Sequence, residues 1–368
     1  MSIRFWTKKD TKPRKKKGFF REWGDAILFA VVAATLIRWA TFEAYTIPTP
    51  SMEKSLLVGD YLFVSKLHYG PRTPITPLQV PLTHQTIWGT NIPSYSDAIQ
   101  LKSYRLPGFS SVKNNDVVVF NWPADINHPT DLRMNYIKRC IGIAGDKIQM
   151  KDMQVYINDK LVPEPERVQY AYGLLTSTPI NEKFFKENDI TDVQEAFGGV
   201  GYVINTTPAT AAKLKDYDFI KEVVLYKDSI GSIRADVFPF KPSMYPYNKD
   251  NFGPFIIPKE GMTVDINPQT IPFYEMAIRK YEGFEKDEVT VTDDKILVKG
   301  QELKQYTFKQ DYYWMMGDNR HNSEDSRYWG FVPEDHVVGK AVLIWMSADQ
   351  NESMFNKIRW SRIFKGIE

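Results

Sequence analysis

The order of apolar and polar residues divides the chain into a short amino-terminal run and a long body of a different kind. Residues 26–37 (AILFAVVAATLI) are almost uniformly apolar. As a helix, the wider window 24–42 reaches roughly 28 Å, close to the hydrocarbon thickness of a bilayer. Asp25 and Arg38 lie toward its ends, and Trp23 and Trp39 bracket it as interfacial aromatics do. The pattern predicts one membrane-spanning helix over 23–42. A cleavable signal peptide has a similar layout, but no Ala-x-Ala site precedes Tyr45; a buried core helix is the third reading. No second run of comparable length follows, and 341–346 (AVLIWM) reads as a strand.

Beyond the anchor the period changes. Short β-branched or aromatic runs at 61–65, 116–121, 136–143, 154–157, 289–291, 296–298, 312–316 and 337–345 alternate with turn residues, which predicts strands. Residues 182–187, 209–215 and 274–281 read as short helices. Prolines cluster at 71–107 and 239–258, predicting extended loops. The expected fold is mainly β. The residues with candidate chemistry fall in 43–160 and 311–368, and 161–310 reads as an inserted subdomain.

Composition alters this picture little. The chain has 368 residues, 43% of them hydrophobic, enough for a full core and too many for disorder. The one cysteine, Cys140, cannot form an internal disulfide; it reads as a small buried residue turned away from Lys138. Charge is more informative. Residues 1–22 hold nine Lys/Arg against two acids, whereas the remainder is slightly acidic. That is a cytoplasmic basic arm beside a membrane anchor, not a nucleic-acid-binding protein. The body would then lie outside the cytoplasm. The five histidines show no metal-ligand spacing, and the reading calls for no metal and no cofactor.

Three segments carry candidate chemistry. They are Ile47-Pro-Thr-Pro-Ser51-Met through Gly59-Asp60, Tyr136-Ile-Lys138-Arg through Gly145-Asp146, and Gly317-Asp-Asn-Arg320-His-Asn-Ser323-Glu-Asp325-Ser-Arg327-Tyr-Trp-Gly330. Serine needs a base to become a nucleophile. Lysine serves only when neutral, so its pKa must fall from about 10.4, and burial among apolar side chains lowers it. Lys138 lies between Tyr136-Ile137 and Ile141-Gly142-Ile143, while strand alternation turns Arg139 to the opposite face.

In this order, together with the anchor, the segments closely resemble the bacterial type I signal peptidase (leader peptidase) family. The resemblance implies a β-rich catalytic domain that removes signal peptides from secretory preproteins after Ala-x-Ala-like sites. It would be anchored by a single pass in the inner membrane, its catalytic domain extracytoplasmic and most simply periplasmic, with signal peptides and the lipid bilayer as partners. It implies Ser51 as nucleophile and Lys138 as general base. Ser323 would hold the amine, and Thr49 with the Ser51 N–H would form the oxyanion hole. Tyr45, Ile47, Met52, Leu56, Tyr136 and Ile137 would line substrate pockets, and Asp325–Arg327 would be a supporting ion pair. The chain departs from the usual pattern at Thr49, Pro50, Lys54, Ala144 and His321. Three other readings are a Ser–His–Asp arrangement through His321, a membrane-tethered binding domain without catalysis, and a self-cleaving Ser–Lys relative of the repressor type.

Overall fold

The computed structural model describes residues 18–285, 287–349, 352 and 357–367. Most of the basic arm therefore lies outside the described residues. Helix α1 (Phe19–Ala40) begins four residues earlier than the predicted anchor. None of its side chains is buried, and it is long and apolar enough to cross a membrane. The Thr35 hydroxyl donates to Val31 O (2.8 Å), which satisfies a polar group within the apolar stretch.

The body is mostly β, as the alternation predicts. Its largest sheet has eight strands. Along it run β1 (Phe42–Thr46), β2 (Asp60–Ser65), the long strand Val337–Ser347, β3 (Val117–Asn121), β4 (Asn135–Gly142), Tyr312–Met316 and Val332–Pro333, with Lys365–Gly366 pairing on the long strand off this path. All these pairings are antiparallel, with Phe42 opposite Ser65 and Val118 opposite Lys138. Every residue of β3 is buried because both faces of the sheet are covered. Val117 and Val119 pack with Met52, Leu56 and Leu62; Val118 and Phe120 pack with Cys140, Met315 and Trp329. A strand between two cores has no polar face, so DVVVFN reads as an unbroken apolar run. Each such fully buried side chain contributes about 1.5–3 kcal/mol.

The stretch 161–310 divides between two cores. Tyr170–Thr176, Asp192–Ala196, Gly201–Thr206 and Ile220–Leu225 form a four-stranded sheet with its own core of Tyr170, Leu174, Phe185, Ile204 and Leu214. Residues farther on, including Phe255, Phe273 and Tyr274, pack with Trp314 and Phe331 beside the main sheet. The helices Glu182–Glu187, Pro208–Leu214 and Ile271–Tyr281 match the three short helices expected.

Candidate active site

The first segment forms a tight turn. Ile47 N–H donates to Asp60 O and Gly59 N–H to Ile47 O, both at 2.9 Å, closing the neck of the loop between β1 and β2. Within it Pro50–Met52 makes one 3₁₀ turn, Pro50 supplying a preset φ at its first position. Met52 and Leu56 are fully buried and pin the turn to the core. Gly59 has φ +87, and a Cβ there would meet Ala348 O at 2.0 Å, so only glycine fits. Asp60 is completely buried, accepting from Leu57 N–H (2.8 Å) and from Arg362 Nε (3.0 Å).

Ser51, buried at the apex, faces Lys138 on β4. The Lys138 amine donates to Ser51 Oγ at 2.9 Å and to Ile137 O at 3.0 Å. It lies 5.2 Å from the centre of the Tyr136 ring, which stacks on Trp122 and meets Trp329 edge-on. Lys138 is 4% exposed. Burial pushes its pKa down to about 8, against the opposing pull of Asp325, Glu324 and Asp318. Arg139 turns to the other face and forms a two-pronged bond to Asp318 (2.8 and 2.7 Å). Its charge is thereby compensated and directed away from the amine. Cys140 corrects the sequence expectation: two residues from Lys138 along a strand means the same face, and Cys140 clusters with Val118, Phe120 and Tyr136.

The third segment holds this pair from behind. Asn319 N–H donates to Ser51 O (3.1 Å), and its side-chain amide donates to Pro50 O (3.2 Å). Asp325 and Arg327 are fully buried and pair through two bonds of 2.8 and 2.7 Å. Burial opposes ionisation of Asp325, but Arg327 and the Gly317 N–H hold its carboxyl below the usual range. Gly317 lies where three groups converge; a Cβ there would meet Ser323 Oγ at 2.2 Å and Ser51 O at 2.5 Å.

The remaining candidates are placed unevenly. Ser323 Oγ is buried beside this convergence but has no hydrogen-bond partner of normal geometry among the described residues, and no bond to Lys138 forms. It still lies near enough to favour the ionised form of Asp325. Thr49 is exposed and extended at the mouth of the turn. Ile47, Met52 and Leu56 are core residues beneath the turn, with Ile137 and Tyr45 packed against them. His321 lies elsewhere: Ala171 N–H donates to its Nδ1 (3.2 Å), so its Nε2–H donates to Asp250 (2.9 Å). Both ring nitrogens are engaged away from Ser51. Lys54, where the chain departs from the resemblance, reaches Asp189 at 2.9 Å, and neighbouring Glu53 accepts from Thr191 (2.7 Å). The roles of Asn319 and of the Asp318–Arg139 pair are not legible in the sequence, although both asparagine and aspartate stand inside a recognised segment.

A buried serine facing a buried lysine on a β scaffold is an arrangement of serine peptidases, a variant of the triad logic. The chain belongs to the signal peptidase, peptidase S26 family, whose model matches residues 20–200 and 256–346. It is a serine peptidase. Similar proteins include Signal peptidase I of Buchnera aphidicola subsp. Acyrthosiphon pisum, 28% identical over 359 residues, 95% of this chain and 82% of that one. Signal peptidase I of Pseudomonas aeruginosa is 23% identical over 95% of this chain and 80% of its own length. That of Rickettsia felis is 34% identical over a shorter stretch, 43% of this chain and 50% of the relative.

Proposed function

We propose that the protein is a membrane-anchored endopeptidase that removes signal peptides through a Ser51–Lys138 dyad. The observation that carries the reading is the 2.9 Å contact between Lys138 Nζ and Ser51 Oγ in a buried setting that favours the neutral amine. The neutral amine accepts the Ser51 proton as Oγ attacks the scissile carbonyl. The Ser51 N–H and the Thr49 hydroxyl receive the developing oxyanion; each such donor is typically worth about 3–4 kcal/mol. Collapse of the tetrahedral intermediate passes the proton from Lys138 to the departing amine and leaves an acyl-enzyme on Ser51. Lys138, neutral again, deprotonates the water that hydrolyses the ester.

The family resemblance supports an Ala-x-Ala-like preference, although Ile47, Met52 and Leu56, expected in substrate pockets, are buried in the core beneath the turn. Support for the anchor comes from α1, whose end lies one residue before β1 and within a dozen residues of Ser51. A nucleophile tethered at that height meets a preprotein whose cleavage site is itself held near the bilayer, with α1 crossing once and the body on the outer side. Incubating the detergent-solubilised chain with a preprotein tests the reading. Wild type should yield the mature product, whereas Ser51→Ala and Lys138→Met should yield none; cleavage by either variant rejects the dyad.

A further inference from the structure

Away from Ser51, the outer end of α1, β1 and the loop after Gly70 enclose a cavity of ≈ 460 Å³. Trp39 of α1 donates to Arg72 O (2.7 Å), tying the helix to that loop. The lining is charged. Glu43 is held between Arg38 (2.5 Å) and Lys66 (2.8 Å). Asp131 is engaged by Ile75 N–H, Thr76 N–H and the Thr76 hydroxyl. Arg72 donates to Asn121 Oδ1 (2.6 Å) and to Asp335 O, both uncharged acceptors, and has no carboxylate within ion-pair distance among the described residues. Three cations thus face two carboxylates. Burial, reinforced by nearby Arg105 and opposed by Asp335 and Asp131, pushes the Arg72 guanidinium down to about 10. The His84 Nε2 on the same wall is buried and has no partner among the described residues.

The position of the cavity narrows the chemistry. The apolar run of α1 ends at Ile37, so Arg38 and Trp39 fall at headgroup level when the helix spans a bilayer. Leu78 and Val80, 45% and 44% exposed, flank the lining residue Gln79. A ligand with one negative charge inside and hydrocarbon outside matches both features. We propose that this cavity binds the phosphodiester of an anionic phospholipid of the outer-facing leaflet, the phosphate lying against Arg72 and Lys66 and the acyl chains leaving past Val80. A zwitterionic lipid would carry an ammonium group into a site already in positive excess. The inference rests on the reading of α1 as a membrane anchor.

The test uses the full chain in detergent, with phosphatidylglycerol or phosphatidylcholine added and retained lipid read by native mass spectrometry. Phosphatidylglycerol should be retained in preference. Lys66→Gln should weaken its retention about tenfold, the scale of one charge-assisted hydrogen bond. Glu43→Gln should strengthen it, whereas Lys227→Gln, just past the strand Ile220–Leu225 and outside the cavity lining, should change nothing. Arg72→Gln should act like Lys66→Gln but also removes donors from Asn121 and Asp335, so Lys66→Gln, which leaves Glu43 paired with Arg38, is the decisive variant; its thermal melt reports that the fold is intact. Equal retention of the two lipids, or undiminished retention by Lys66→Gln, overturns the proposal. Displacement by inorganic phosphate would make this a free-anion site, and displacement by a signal peptide would make it part of the substrate groove; either result rejects the lipid. Flotation with phosphatidylcholine vesicles separates the two readings. A chain that floats but shows no lipid preference keeps its anchor and loses this site, and a chain that fails to float loses the anchor first.

Discussion

Lys138 sets activity against stability within one side chain. With its pKa near 8, about a tenth of the molecules carry the neutral amine at pH 7. We therefore expect kcat/KM to rise about tenfold per pH unit below 8 and to level off above it. A profile centred near 6.5 would point to a histidine and reject Lys138 as the base. The same shift makes a stability statement. The folded pKa lies below the unfolded value of about 10.4, so between those values the unfolded chain binds more protons, and stability rises with pH across that window. Below about pH 8 the folded state bears the full cost of a buried ammonium. Lys138→Met should therefore raise unfolding free energy at pH 7 by about 3 kcal/mol while abolishing cleavage, and the gain should fade as the pH passes about 10.5. Urea denaturation at several pH values measures it; a variant no more stable than wild type at pH 7 would mean the amine is better solvated than its burial indicates. The lysine was legible because its apolar sequence neighbours, Ile137 and Ile141 among them, already signal the burial that the distant Ser51 turn and Trp329 complete. Asn319 was not, because its worth lies in two carbonyls contributed by a turn 269 residues away in the chain. Ser323 fails in the opposite sense, a residue expected to hold the amine that instead faces Gly317.

At the scale of elements, the turn Pro50–Met52 and the segment after Met316 act as a single support. Gly317→Ala would press a methyl group into Ser51 O and Ser323 Oγ, with no flexible partner on the backbone side. We expect that variant to lose kcat by about a hundredfold, the cost typical of a misplacement near 1 Å. A fully active Gly317→Ala enzyme would show that the turn can shift without consequence. Asp325→Asn leaves the buried Arg327 uncompensated and should cost about 3–5 kcal/mol, read as a lowered urea midpoint. Elements themselves were unevenly legible. The strands β2, β3, Tyr312–Met316 and Val337–Ser347 stand out because β-branched and aromatic runs mark them locally. The strand Tyr170–Thr176 carries Gly173 at its centre, and Ile220–Leu225 carries two adjacent charges. Both weaken the local signal, and both are strands because they pair with each other across some fifty residues of chain. The split of 161–310 between two cores is likewise invisible locally, since it depends on which aromatic rings meet Trp314.

The whole molecule places Ser51, the proposed nucleophile, between two tethers. On one side the loop between the helix Glu182–Glu187 and the strand Asp192–Ala196 reaches the turn through Lys54–Asp189 and Glu53–Thr191. On the other, α1 meets the body through Trp39–Arg72 and Arg38–Glu43 and buries no side chain of its own. A helix that contributes nothing to the core can be removed without unfolding the core, because Glu43 keeps Lys66 as its partner. We therefore expect a chain lacking residues 1–40 to fold and to cleave a short soluble peptide with kcat/KM within a few-fold of the full chain. Against a preprotein embedded in vesicles the outcome should differ. Tethering enzyme and substrate in one membrane replaces a bimolecular encounter by a local one, with effective concentrations that raise apparent affinity by about 10²–10⁴. The truncated chain should lose a factor of about that size on the embedded substrate alone. The comparison of the two substrates is what makes the test decisive: an equal loss on both would mean that α1 shapes the site itself, and no loss on either would mean that it plays no part in bringing the preprotein to Ser51.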